Sequence, residues 1–247
     1  MKPYYQDAAV TLYHGDCLEV LPLIESVDHV ITDPPYDAIT HADHLSSVAH
    51  GRASIDFEAI GFGQFVALCD RLVSVAARWV VMTCDYRHAP GVFGCDYFVR
   101  LGVWVKSNGA PQFTGDRPGM GYEPVLVLHR SGRKRWNGGG KHGIWYAHVE
   151  HGEHPTQKPA SLAASFISDF TDEGDLILDP FGGSGTTGVA AKRLGRRCIL
   201  IEKEEKYCAV AAERLLQGAL DLGFSNSDAV DPQVRVSADR SRAGDLF

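Results

Sequence analysis

Apolar residues along this chain gather into short runs separated by polar, glycine- and proline-bearing stretches. Seven runs have strand length: residues 10–13, 27–32, 79–83, 97–105, 124–128, 176–178 and 198–201. Other segments repeat with the helical period. Between 63 and 77 the apolar positions are 65, 66, 68, 72, 73 and 76, and Leu162, Phe166 and Phe170 recur every fourth residue. A short helix is expected over 18–24 and a final one over 203–220. Strand and helix alternate, which predicts a doubly wound, mostly parallel seven-stranded α/β sheet. No helix separates 97–105 from 124–128, so these two are expected as an antiparallel hairpin.

The remaining segments show no period. Residues 37–54 are polar and histidine-bearing and read as a loop beside whatever site the sheet carries. Residues 107–121 are polar and rich in Gly and Pro. Residues 130–143 are basic and glycine-rich with Trp136 embedded, and cannot build a core of their own. Residues 224–247 read as a flexible polar tail. The division expected is one domain over 1–222, with a short insertion at 107–153, and a tail over 223–247.

The length suits a single catalytic domain. No apolar run approaches the roughly 20 residues of a membrane span, and the first residues lack the apolar centre of a signal peptide. The six cysteines form no C-x-x-C pair. A cytoplasmic chain without disulfides or structural metal is therefore expected. His148, His151 and His154 recur every third residue, but no Cys or carboxylate completes a metal set.

The formal charge is −7, which by itself argues against a polyanionic partner. Its distribution argues the other way. Residues 100–150 hold eight Lys and Arg against three acids, a local excess of five positive charges, so the rest of the chain carries twelve negative ones. A basic island in an acidic chain is a footprint for phosphates. Arg117, Arg130, Arg133, Lys134, Arg135 and Lys141 are the candidate contacts to a polyanion, with Arg133, Lys134 and Arg135 placed on its phosphate backbone.

Two stretches carry chemistry. The first is Leu176-Ile177-Leu178-Asp179-Pro180-Phe181-Gly182-Gly183-Ser184-Gly185-Thr186-Thr187: a strand, a small-residue turn and a helix start. The glycines allow a tight turn and close approach to a ligand, and the following helix aims free N–H groups at it. Seventeen residues past Gly185, the next strand ends in Glu202, where nucleotide-binding folds hold ribose hydroxyls. Gly183, Gly185 and Gly188 also satisfy G-x-G-x-x-G, a weak signal alone. The second stretch is Asp33-Pro34-Pro35-Tyr36, directly after the strand at 27–32, where open α/β sheets place reactive groups. Its prolines stiffen the backbone, its carboxylate can accept an N–H, and its ring offers a stacking face.

Together these stretches resemble the amino-methylating DNA methyltransferases, in the permuted order with the tetrapeptide first and the glycine loop last. The resemblance spans about 10–216 and is sharp at 33–36, 154–159 and 179–187. It implies a class I, Rossmann-like methyltransferase fold and S-adenosylmethionine as cofactor, with S-adenosylhomocysteine as product and no metal. The substrate it implies is double-stranded DNA, with the target base flipped out. Asp33, Pro34, Pro35 and Tyr36 become the catalytic set, with Asp33 also near the cofactor. Asp16 and the Cys17 backbone are expected at the cofactor adenine, and Phe181 packed on it. Gly182, Gly183, Ser184, Gly185 and Thr186 are expected at its methionine end, and Glu202 and Lys203 at the ribose. Thr156 and Lys158 belong to a segment closing over the cofactor, with Lys158 near its carboxylate. Asp179 is expected to orient the amino group or a water.

The expected reaction is methylation of adenine N6. The alternatives are cytosine N4, or an RNA or protein amide, by the same geometry. A non-catalytic DNA-binding module and a nicotinamide oxidoreductase leave 33–36 unexplained. The recognition insertion is short, which leaves relaxed specificity or a homodimer partner open.

Overall fold

The structure, a computed structural model, describes residues 1–36, 59–109, 115–150 and 158–217. Nine strands form one sheet: β1 (Tyr5–Gln6), β2 (Val10–His14), β3 (His29–Thr32), β4 (Trp79–Thr83), β5 (Phe98–Lys106), β6 (Tyr122–His129), β7 (Ile144–Ala147), β8 (Leu176–Asp179) and β9 (Arg197–Glu202). They lie side by side as β1-β2-β9-β8-β3-β4-β6-β5-β7. From β2 to β4 the neighbours are parallel, and β6 runs antiparallel to both β4 and β5. The helices are α1 (Cys17–Val20), α2 (Phe62–Val75), α3 (Ala160–Phe170), α4 (Thr186–Arg193) and α5 (Glu205–Gln217). None of the described helices is long and apolar enough to cross a membrane.

Successive strand residues point to opposite faces, and both faces of the central strands are buried, as their unbroken Val/Ile/Leu character requires. Val30, Val80, Met82, Leu178 and Ile201 meet α2 through Phe65, Leu68, Cys69 and Leu72. Ile31, Val81, Ile177 and Leu200 meet Leu162, Phe166 and Ile167 of α3, Val189 and Ala190 of α4, and Ala211 of α5 on the other side. Every residue of β3 and β4 is buried. The positions at 162, 166 and 170 are all core, so the four-residue spacing reads the buried face of α3 correctly.

The seven expected strands are all present, and the hairpin is antiparallel with β6 inserted between β4 and β5. Two further strands bring the count among the described residues to nine. β1 is a two-residue pairing at one edge, too short to leave a pattern. β7 pairs in parallel with β5 at the other edge, and its four residues alternate exposed and buried, a signal hidden behind the glycine-rich stretch before it. The helix expected over 18–24 divides into α1 and a 3-10 turn at Leu21–Leu23, because Pro22 cannot donate to an α-helical ladder. The loop at 37–54, the Thr156 cap and the tail at 223–247 lie outside the described residues.

β8 and β3 are neighbours, but the chain leaves β8 toward β9 and leaves β3 toward β4. Connections that diverge from adjacent parallel strands open a crevice beyond their carboxyl ends. Asp179 closes β8 and Asp33 follows β3, so both stand at this crevice.

Candidate active site

Asp33 is fixed by its neighbours. Thr83, at the carboxyl end of β4, donates its hydroxyl to Asp33 Oδ1. The Tyr36 hydroxyl lies 3.2 Å from the same oxygen, and Lys158 Nζ lies 2.8 Å from Oδ2. Pro34 is buried, so the turn that presents the carboxylate is packed as well as stiff. The Asp33 side chain keeps 26% of its surface and so stays reachable.

Glu123, near the start of β6, completes the cluster. Its Oε2 accepts from the Tyr36 hydroxyl at 2.5 Å and lies 3.3 Å from Lys158 Nζ, while Oε1 lies 2.6 Å from Lys106 Nζ. Lys158 also sits 5.0 Å from the centre of the Tyr36 ring, so one face of that ring is covered by a cation. Trp104 is buried behind this cluster with Nε1 donating to Ala147 O at 3.0 Å, and Lys106 lies 5.3 Å from its ring. Two carboxylates and two ammonium groups leave the cluster formally neutral.

Burial pushes the Asp33 carboxyl up, with Lys158 opposing and Glu123 adding to the rise. Burial would also raise Glu123, but Lys158 and Lys106 overcome it and hold the carboxyl at about 2. Burial would lower Lys158, yet Asp33 and Glu123 raise it, so the ammonium stays charged. Asp179, 4% exposed, accepts from Thr32 Oγ1 at 2.6 Å and Phe181 N at 3.1 Å. Burial outweighs these bonds and pushes its carboxyl up to about 6.

The glycine loop lies beside this cluster at the same end of the sheet. Gly183 and Gly185 have φ of 51° and 80°. A Cβ on Gly185 would stand 2.9 Å from that of Ala211, and one on Gly182 would stand 3.2 Å from that of Leu200. The loop is thus pressed onto α5 and β9 by residues that only glycine permits. Arg214 of α5 clamps it, donating to Ser184 O and Oγ at 2.7 Å and to Thr186 Oγ1 at 3.2 Å. Glu202 accepts from Gly183 N and Glu204 N, both at 2.7 Å, and burial pushes its carboxyl up. Asp16 caps α1 by accepting from Leu18 N at 2.8 Å and faces Lys203 at 3.3 Å. Asp16, Phe181, the glycine loop, Glu202 and Lys203 therefore share one end of β2, β8 and β9. A close-packed backbone turn flanked by carboxylates suits an adenosine cofactor carrying a cationic sulfonium.

Some expected residues stand elsewhere. Lys158, expected near the cofactor carboxylate, is paired with Asp33 and Glu123. Thr156 lies outside the described residues. Among the DNA-contact candidates, Arg117 belongs to the β5–β6 connection at the Asp33 end of the sheet. Arg130, Arg133, Lys134, Arg135 and Lys141, expected as DNA contacts, do not. β6 runs antiparallel to β4 and ends at His129 opposite Trp79, so the chain after it emerges at the far end of the sheet. There Arg135 pairs with Asp172 at 3.0 Å and Lys141 with Asp169 at 2.8 Å.

The protein itself orders this basic segment. Trp136 packs edge-on against Phe170 at 4.8 Å, Asn137 Nδ2 donates to Thr171 O, and Trp79 Nε1 donates to Arg135 O. Trp145 is buried and donates to Asp169 Oδ2. Glu123, Lys106, Thr83 and Arg214 were not singled out in the sequence. Lys106 and Glu123 left a trace there only as members of the charge count over residues 100–150.

The family model for N6/N4 DNA methylases matches residues 27–213. The type II methyltransferase M.HinfI of Haemophilus influenzae is 31% identical over 87% of this chain and 70% of its own length. The crystal structure of the M1.HpyAVI–SAM complex is similar with a TM-score of 0.64 and 28% identity, covering 83% of this chain and 99% of that one. The PvuII cytosine-N4-specific DNA methyltransferase shares the fold, with a TM-score of 0.68 at 20% identity over 92% of each chain.

Proposed function

We infer the reaction from one premise: this chain belongs to the N6/N4 DNA methylase family. It is an S-adenosylmethionine-dependent DNA methyltransferase, and the acceptor we propose is the exocyclic N6 of adenine. The observation that carries the reading is Asp33, held at the crevice between β3 and β8 with the glycine loop alongside.

An exocyclic amine is a poor nucleophile because its lone pair is delocalised into the ring. Asp33 accepts one of its N–H groups and the Pro34 carbonyl the other, which turns the lone pair outward. When bound, S-adenosylmethionine supplies an electrophilic methyl on a sulfonium. Asp33 and Asp179 stand at the end of the sheet where that positive charge is welcome. Tyr36 stacks the flipped base on the ring face that Lys158 leaves open, an interaction worth about 1–3 kcal/mol, and the base leaves the duplex to reach it. Positioning supplies most of the rate. Glu202 holds the ribose, and Asp16, Cys17, Phe181 and Lys203 surround the adenine end.

Arg117 and its neighbours in the β5–β6 connection meet the duplex. Because this recognition region is short, the reading extends to a homodimer in which a second copy widens it; light scattering with and without DNA checks that. Cytosine N4 is the second reading, favoured by the shared fold with a cytosine-N4 enzyme. Incubation with methyl-labelled cofactor and plasmid DNA, followed by mass spectrometry of the nucleosides, is expected to yield N6-methyladenine. Label in N4-methylcytosine establishes the second reading, and unlabelled DNA overturns both.

A further inference from the structure

Glu123 belongs to neither motif of the site, yet it shares two of the three partners of Asp33: Tyr36 and Lys158. A carboxylate offers about four acceptor positions. Thr83 and Tyr36 occupy Oδ1 of Asp33, and Lys158 sits squarely on Oδ2. A target amine takes the position left on Oδ2, and an ammonium still sharing that oxygen weakens it as an acceptor, so the ammonium is drawn off when the base arrives. It cannot simply leave, because Lys158 is only 17% exposed and a buried charge without a partner is costly. Glu123 Oε2 is 3.3 Å from it, and the Tyr36 hydroxyl lies closer to Glu123 (2.5 Å) than to Asp33 (3.2 Å). Lys106 on Oε1 keeps Glu123 ionised for the exchange.

Resting on the methyltransferase reading, we propose that Glu123 is a positioning residue: it holds the Tyr36 hydroxyl, takes Lys158 from Asp33 as the amine enters, and so frees Asp33 Oδ2 as the acceptor. No bond to carbon is made or broken in this exchange; one ammonium changes partner, and the cluster stays neutral. Charged and titratable groups face Asp33 from each packed element: Tyr36 on its own loop, Cys84 just past β4, Glu123 on β6, Asp179 on β8 and Lys158 ahead of α3. Lys106 on β5 acts through Glu123.

Glu123→Gln keeps the size and one acceptor oxygen but removes the charge. In the cofactor-free protein, a carboxyl 13C titration follows Asp33, identified by the signal that disappears in Asp33→Asn. The midpoint is expected to move to lower pH in Glu123→Gln, since a neighbouring negative charge has gone and Lys158 is left to Asp33 alone. An unmoved midpoint overturns the proposal. In turnover, Glu123→Gln is expected to lower kcat by about tenfold or more with little change in the KM for cofactor. Adding Lys158→Met to it should recover part of that loss, because no ammonium then shares Oδ2 with the amine. A further loss in the double variant overturns the proposal, since a merely structural Glu123 predicts it. Should Glu123→Gln lack the circular dichroism of the wild type, Glu123→Asp serves instead. Its charge is kept, so the Asp33 midpoint stays, while its shorter reach lowers kcat; wild-type kcat overturns the proposal. A wild type that methylates no DNA overturns the methyltransferase reading itself, whereas an active wild type beside an unmoved Asp33 titration overturns only the role of Glu123.

Discussion

At the scale of single residues, the site is built from carboxylates whose surroundings set them apart. Asp33→Ala is expected to abolish methyl transfer while calorimetry still finds cofactor binding, since Asp33 belongs to the β3–β4–β6 side of the crevice; abolished binding would move it into the cofactor site. Glu202→Ala removes both the proposed ribose acceptor and the bond that positions Gly183. Cofactor affinity should fall by about 1.5–3 kcal/mol, the range for bonds to a charged acceptor, with unchanged affinity counting against the ribose role. Asp179 gives a pH signature. Its folded value of about 6 lies above its ordinary 3.8, so the folded state holds the proton more tightly than the unfolded one. That contribution is complete below pH 4 and lost as pH rises through 6. The difference corresponds to about 3 kcal/mol at most. Asp179→Asn cannot ionise, so its stability relative to wild type should rise between pH 4 and 7 in urea titrations; a constant difference excludes this account. Asp33, Asp179 and Glu202 were legible in the sequence because each closes or follows an apolar run. Glu123 and Arg214 were not, because they act from β6 and α5, and no local pattern reveals a partner far away along the chain.

At the scale of elements, the period of apolar positions located every long strand and helix, and it did so because both sheet faces are covered. It failed where length or proline intervened: in two-residue β1, in four-residue β7 and at Pro22. The glycine loop shows how an element depends on its neighbours. Gly185 is the cap of α4 with φ of 80°, and its missing Cβ is what lets α5 approach. Gly185→Ala is expected to strain the backbone and push Ala211 at once, destabilising the fold by about 1–3 kcal/mol and weakening cofactor binding. Thermal unfolding beside calorimetry checks both. A variant with wild-type stability would mean that the loop and α5 separate freely, and the Arg214 clamp would then have no structural basis.

At the scale of the whole molecule, strand direction decides which surface meets DNA. Charge summed along the sequence marked 100–150 as one basic island, but β6 carries the chain from one end of the sheet to the other in the middle of it. The island is therefore divided. Arg117 stays with Asp33, and Arg133, Lys134 and Arg135 lie at the opposite end, beyond the five residues of β4, a span of roughly 16 Å at about 3.3 Å per residue. Part of their charge is already answered: Arg78 and Arg135 at this end face Asp28, Asp172 and Asp175. A duplex delivering a base to Asp33 approaches the carboxyl ends of the strands, and the helices on both faces stand between it and the far end. Removing one cation from a phosphate lowers the slope of log affinity against log salt by about 0.9. Arg117→Ala should show that drop, equally for cognate and scrambled duplexes, because a bond to phosphate carries no sequence information. The triple change of Arg133, Lys134 and Arg135 to Ala should leave the slope where it was. A slope that falls in the triple variant by about two or three times that step would mean that DNA wraps around the sheet to its far end, and the recognition surface would have to be redrawn across both.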